Sequence, residues 1–305
     1  MQRREFIAAS LAAGLFTSAN LKNVFAADGK AKKLLYYERS TSYVHPSTVL
    51  DPATGVSVTG RVLKKLGEQL GYEVVCTKDG RVFDGDLDQY DGFILYCCGV
   101  LTGERGEPGT YPMSKDGEQR FYEAVRAGKG VLGFHSASDT NHSGGGPGRF
   151  TNAEESKRND YTKMLGGEFI VHGSQQVTTL NILDVDKEFP SHKPFGNTIS
   201  CKEEWYTLRN FNPDIHVLMV QETKDMKADG HDECYDRPPY PCTWARMEGK
   251  GRVAFTSLAH NNSTWDEDWM QAVVLDLLKF ITGKLSYDLT PNIETAAPGA
   301  YTLKK

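Results

Sequence analysis

The chain has 305 residues, and its 35 Lys and Arg against 40 Asp and Glu give a formal net charge of −5 at neutral pH. No basic run with interleaved aromatics offsets that balance, so a nucleic-acid backbone is excluded as the expected partner. The length suits one large α/β domain or two small ones, and with no Pro/Ser-rich linker or internal repeat to mark a boundary, one domain is expected.

The chain opens Met1-Gln2-Arg3-Arg4-Glu5-Phe6-Ile7-Ala8. An apolar small-residue stretch to Ala19 and the small-x-small pattern Val24-Phe25-Ala26 follow. This looks like a twin-arginine export signal, an ordinary secretion signal being the alternative. Cleavage after residue 26 removes Arg3, Arg4, Glu5 and Lys22, shifts the net charge to −7 and implies a periplasmic or otherwise exported product. The apolar stretch falls short of a membrane span of ~20 residues, so no integral span is expected in the mature form unless the segment is retained as an anchor.

Lys33 to Tyr37 reads as a buried strand, and a loop carrying His45 follows. Val56, Val58, Val62, Leu63, Leu66 and Leu70 then fall at helical spacing, and Tyr72 to Thr77 reads as a second strand. Strand, helix, strand requires a parallel pair with a right-handed crossover. Gly92 to Cys98 is apolar throughout, as strands covered on both faces are. Ser114 caps a helix over Lys115 to Ala127, with Asp116 and Glu118 in its first turn and Gly128 beyond its end.

The strand Gly130 to Phe134 then delivers His135 in the turn Gly133-Phe134-His135-Ser136-Ala137. In open α/β sheets the ligand crevice lies outside the carboxyl ends of the strands, where a side chain on a tight corner is exposed to it. Ser143 to Gly148 is glycine-rich but lacks the Gly-Lys-Ser/Thr ending of a phosphate loop, so no nucleotide cofactor is expected. Further strands are expected over Gln176 to Ile182, Ile199 to Tyr206 and His216 to Gln221. Cys242 to Met247 and Arg252 to Leu258 form a hairpin around Glu248-Gly249-Lys250-Gly251. A last helix over Asp266 to Ile281 presents Trp269, Val273, Val274, Leu277 and Leu278 as its packing stripe. The expected divisions are therefore a signal over residues 1–26, a domain over 30–283 and an irregular tail over 284–305.

Of six cysteines, Cys234 and Cys242 bracket a proline-rich loop that a disulfide would close. The rest lie in apolar runs, where buried thiols are common.

His45, His135 and His260 each follow an apolar strand-like run, which suggests one shared pocket. Three imidazoles, or two with a carboxylate, leave an open position on a divalent ion such as zinc. In an extended Lys202-Glu203-Glu204-Trp205-Tyr206, Glu204 and Tyr206 share one face and Glu203 and Trp205 the other, so one carboxylate alone can face the crevice. His135, Glu204 and His260 are the catalytic candidates, and His45, His135 and His260 the metal candidates. Trp205, Tyr206, Arg246 and Asn261 offer the flat rings and planar donors that bind carbohydrate. Ser136 and Cys98 are weaker nucleophile candidates. The elbow pattern Gly-x-nucleophile-x-Gly centres on His135 and ends in Ala137 rather than glycine, and Cys98 lacks a glycine-framed turn before it.

Tyr43-Val44-His45-Pro46, Gly133-Phe134-His135-Ser136, Glu203-Glu204-Trp205-Tyr206, Trp244-Ala245-Arg246 with Gly249-Lys250-Gly251, and Ala259-His260-Asn261 stand in an order that resembles the ThuA-like (trehalose-utilisation) family. The resemblance covers nearly the whole mature chain. It implies a flavodoxin-like, class I glutamine amidotransferase-like α/β fold, with a mostly parallel sheet, helices on both faces and an antiparallel hairpin extension. His135 stands where the amidotransferase nucleophile cysteine would be, so that activity is not implied. The family's association with trehalose and related glycosides, through 3-keto-sugar intermediates, implies a small carbohydrate as partner; a divalent ion on the histidines would make isomerisation, elimination or cleavage of a keto-glycoside the expected chemistry. The competing expectation is a non-catalytic carbohydrate-binding or scaffold module.

Overall fold

The structure is a computed structural model that describes residues 32–144, 150–229 and 234–303. The segment read as an export signal and most of the glycine-rich stretch after Ser143 lie outside them. The described residues form eleven strands: β1 (Lys33–Tyr37), β2 (Glu73–Thr77), β3 (Gly92–Leu95), β4 (Gly130–Phe134), β5 (Glu168–His172), β6 (Gln176–Ile182), β7 (Thr198–Glu203), β8 (Tyr206–Arg209), β9 (His216–Gln221), β10 (Tyr240–Glu248) and β11 (Gly251–Thr256). The helices are α1 (Val58–Gln69), α2 (Lys115–Ala127), α3 (Asp160–Leu165), α4 (Val185–Glu188), α5 (Asn262–Asp266), α6 (Asp268–Ile281) and α7 (Ile293–Ala296).

Nine strands form one sheet in the order β2-β1-β3-β4-β11-β10-β9-β6-β7, and β5 and β8 form a separate antiparallel pair. The first five strands of the large sheet run parallel, and the β10–β11 hairpin begins an antiparallel extension that continues through β9, β6 and β7. The parallel part has the flavodoxin-like order, in which strand succession reverses between β1 and β3 and opens a crevice at their carboxyl ends. Side-chain alternation feeds two cores. Leu34 and Tyr36 of β1 join α1 and α6 on one face, and Leu35 and Tyr37 join α2 and α3 on the other. Beyond Gly283 the chain packs Ile293, Ala297 and Ala300 into the second core.

The strand expected over Ile199 to Tyr206 is broken. β7 stops at Glu203, and the chain resumes at Tyr206 in the small sheet, where Tyr206 pairs with His172. The expected Cys234–Cys242 bridge is a further correction: no disulfide joins the two, and Cys242 Sγ is turned toward the Met219 carbonyl at 3.5 Å. Among the described residues no helix is long and apolar enough to cross a membrane.

Candidate functional site

Four chain segments meet above the carboxyl ends of the parallel strands. His135 follows β4 directly, with φ +42°. Gly133 lets the turn fold close over β4, where a Cβ would lie 3.2 Å from Ala137 Cβ and 2.8 Å from Leu165 Cδ1. His260 follows β11 after Ala259, whose φ is +84°. His45 ends the loop after β1, and its carbonyl accepts from the Thr48 amide and hydroxyl at 2.9 Å each. Glu204 sits in the break between β7 and β8.

The ligand atoms of His45, His135, Glu204 and His260 all lie within 4.8 Å of one another. His135 Nδ1 is 2.7 Å from the Ser257 carbonyl. A carbonyl only accepts, so Nδ1 carries a proton, and an ion would take the Nε2 lone pair in place of the proton that Nε2 shares with Glu204, as metal-binding histidines are commonly arranged. That Nε2 stands 3.3 Å from Glu204 Oε2 and 3.2 Å from His260 Nδ1, and His260 Nδ1 is 3.1 Å from the same Glu204 oxygen. Ligand atoms bound ~2.0–2.1 Å from a tetrahedral ion lie roughly 3.3 Å apart, so both the donor set and its spacing fit a divalent ion of the zinc type.

Burial, reinforced by the imidazoles of His135 and His260, pushes His45 down to about 2, so its ring is neutral near pH 7. Burial alone would raise Glu204. Hydrogen bonds from His135 and His260, with their charge, outweigh it and hold the carboxyl well below the usual range. Tyr206 Oη lies 3.3 Å from His45 Nε2, and its ring lies 3.9 Å from that of His135. Burial first, then Glu204, raise its hydroxyl far above the tyrosine range, so it stays protonated.

Glu203 points away, accepting from Thr264 Oγ1 at 2.6 Å and from the Glu204 amide at 3.1 Å. Asn261 is half-buried beside His260 and donates to the Lys202 carbonyl at 3.3 Å. Trp205 and Arg246 are corrections as sugar-binding residues. The Trp205 indole is core, 1% exposed, and donates to the Gln176 carbonyl at 2.7 Å. Arg246 lies at the far edge of the sheet, because β10 runs antiparallel and its late residues pair with the start of β11. There it is held by Asp214, Glu248 and the Met164 carbonyl. Neither alternative nucleophile is activated. Ser136 Oγ is buried with no hydrogen-bond partner, and burial with Asp139 pushes the Cys98 thiol up to about 12.

His172 is a site residue that the sequence reading passed over. It ends β5, half-buried, with Nδ1 3.5 Å from Glu204 Oε1 and its ring stacked on Tyr206 at 5.8 Å. The apolar run Phe169-Ile170-Val171 before it carries the same strand-end signal as the other three histidines. Exposed Tyr43 stands edge-on to His45 at 4.8 Å on another rim.

Beside this centre His142 bridges Asp139 and Glu168. Burial alone would lower its pKa, but those two partners outweigh it and raise the imidazole to about 9. A raised folded value means that the stabilisation is complete below an unfolded pKa of ~6.5 and is lost as pH rises through 9. The side chain is exposed, so the effect is solvent-screened and modest. Unfolding midpoints measured from pH 6 to 10 should fall on the alkaline side in the native chain and fall less steeply in His142→Gln.

A flavodoxin-like α/β sheet with a histidine and carboxylate cluster at the carboxyl ends of its parallel strands defines the class. The family model described as ThuA, trehalose utilisation, matches residues 53–281, and the chain belongs to that family. A ThuA-like protein from Bacteroides uniformis ATCC 8492 superposes with a TM-score of 0.58 at 17% identity, over 90% of this chain and 97% of that one. Another from Parabacteroides merdae ATCC 43184 gives 0.51 at 20%, over 89% and 98%. These likenesses establish the shared fold. No curated protein matches the sequence.

Proposed function

We propose that this chain is an exported enzyme of sugar utilisation acting on a glycoside or its keto derivative, with a divalent ion held by His135, His260 and Glu204, His45 standing beside them and the fourth position open to substrate. The observation that carries the proposal is the meeting of His135 Nε2, His260 Nδ1 and Glu204 Oε2 at 3.1–3.3 Å. Such an ion supplies, when bound, a Lewis acid that polarises a carbonyl and offsets charge developing on its oxygen.

The chain's own groups do the rest. Glu204, held ionised, offers the carboxylate, and Tyr206 keeps a proton to donate. His172 and Asn261, at the accessible side, suit sugar hydroxyls, and the exposed Tyr43 ring suits an apolar sugar face. Isomerisation, elimination or cleavage of a keto-glycoside matches this set better than hydrolysis by paired carboxylates. Hydrolysis needs two acids ~5–9.5 Å apart across the bond, and Glu203 is committed to Thr264.

The test is turnover of 3-keto-glycosides by the ion-supplemented protein beside its His135→Ala variant. Turnover in the native chain, abolished in the variant with sugar affinity retained, is expected. Sugar binding without turnover of any keto-glycoside would make the protein a binding module instead.

A further inference from the structure

Two non-glycine residues of the site have left-handed backbone, and they differ in how they are held. At His135 the conformation belongs to the strand-to-turn corner. Ala259 has φ +84°, carries a Cβ, is fully buried, and lies in no regular element. A residue with a Cβ keeps such a conformation only when its surroundings impose it.

The Ala259 carbonyl accepts two side-chain hydrogen bonds, from Tyr96 Oη at 2.9 Å and from Trp265 Nε1 at 2.9 Å. Tyr96 follows β3 and Trp265 lies on α5, so the donors reach one oxygen from two separate parts of the fold. One donor would suffice to solvate a buried carbonyl; two fix the orientation of the peptide plane between Ala259 and His260. Both rings are themselves locked. Tyr96 packs against His45 at 5.5 Å and His135 at 6.1 Å, and Trp265 packs edge-on to Phe134 at 5.0 Å. Turning that peptide would swing the His260 ring away from Glu204 and His135.

We infer that Tyr96 and Trp265 are positioning residues, a two-donor clamp on the Ala259 carbonyl that aims His260 into the cluster; the inference rests on the metal-centre proposal above. Neither touches an ion or a substrate. Their effect passes through one peptide, and so a glycine at 259, which takes this conformation without strain, should make the clamp dispensable.

The test is titration of the whole mature protein with Co2+, read by visible absorption and by affinity. Tyr96→Phe and Trp265→Phe are each expected to weaken Co2+ binding about 10–100-fold and to shift the absorption band, as loss of outer partners of metal-binding histidines does. Adding Ala259→Gly to Tyr96→Phe is expected to restore both. Native affinity and spectrum in the two folded single variants would overturn the clamp, as would failure of Ala259→Gly to restore a weakened one. If either single variant does not fold, the other removes a donor from the same carbonyl and gives the same readout. If the native protein itself binds no Co2+, the metal proposal fails, and the clamp is then judged by the imidazole 15N shifts of His260. A change in Tyr96→Phe reversed by Ala259→Gly supports it, and unchanged shifts overturn it.

Discussion

Replacing His135 by glycine is expected to weaken binding of a divalent ion by more than about 100-fold, since even the outer hydrogen-bond partners of metal-binding histidines are worth 10–100-fold. His135 Nε2 lies 3.2 Å from His260 Nδ1 and 3.3 Å from Glu204 Oε2, so its loss opens the centre of the cluster and not its rim. Glycine also relieves the backbone strain that any residue with a Cβ, histidine or alanine, carries at φ +42°, so the backbone of the folded variant is not held back by it. Calorimetric titration with Zn2+, beside a thermal unfolding curve, checks it. Retained tight binding in the folded variant would remove His135 from the ligand set.

Glu168→Ala is expected to destabilise the protein by about 3–5 kcal/mol, the usual consequence of stripping a buried charge of its partner. For a domain of this size that corresponds to a fall of roughly 6–20 °C in the unfolding midpoint. The carboxylate is fully buried and takes both Nε and Nη2 of Arg209, at 3.1 and 2.7 Å. It also accepts from the Ser143 amide, Thr162 Oγ1 and Asn210 Nδ2. Burial alone would raise its pKa, but His142, the Ser143 amide and Arg209 outweigh it and hold the carboxyl at about 2. A lowered folded value means that the stabilisation is complete above an unfolded pKa of ~4.3 and is lost as pH falls toward 2. Acid unfolding of the native chain should therefore be steep in that window, and the variant should show a shallower dependence. Calorimetry across pH 2 to 7 measures both effects.

Much of the site could be read from the strand ends. His45, His135 and His260 each follow an apolar run, and a parallel sheet carries all such ends to one edge. Alternation says only that one of Glu203 and Glu204 can face the crevice and that Tyr206 goes with Glu204; Glu204 and Tyr206 lie beside the histidines even though the chain breaks between β7 and β8. The break itself had no local signal, because pairing of Tyr206 with His172 is a long-range fact. Trp205 and Arg246 have the chemistry of sugar-binding residues, yet a residue's type does not tell which end of a strand it occupies or what has already paired with it. Arg246 falls on the wrong edge because its strand runs against the parallel set. His172 was passed over for the converse reason: its strand belongs to the small second sheet, which topology alone brings over the crevice.

The most direct measurement is anomalous X-ray scattering, at the zinc edge, from crystals of the protein grown with Zn2+. One peak within ~2.0–2.2 Å of His135 Nε2, His260 Nδ1 and a Glu204 oxygen is expected. Zinc-supplemented crystals with no peak among those atoms would contradict the metal centre, leaving the histidines to act by hydrogen bonding alone.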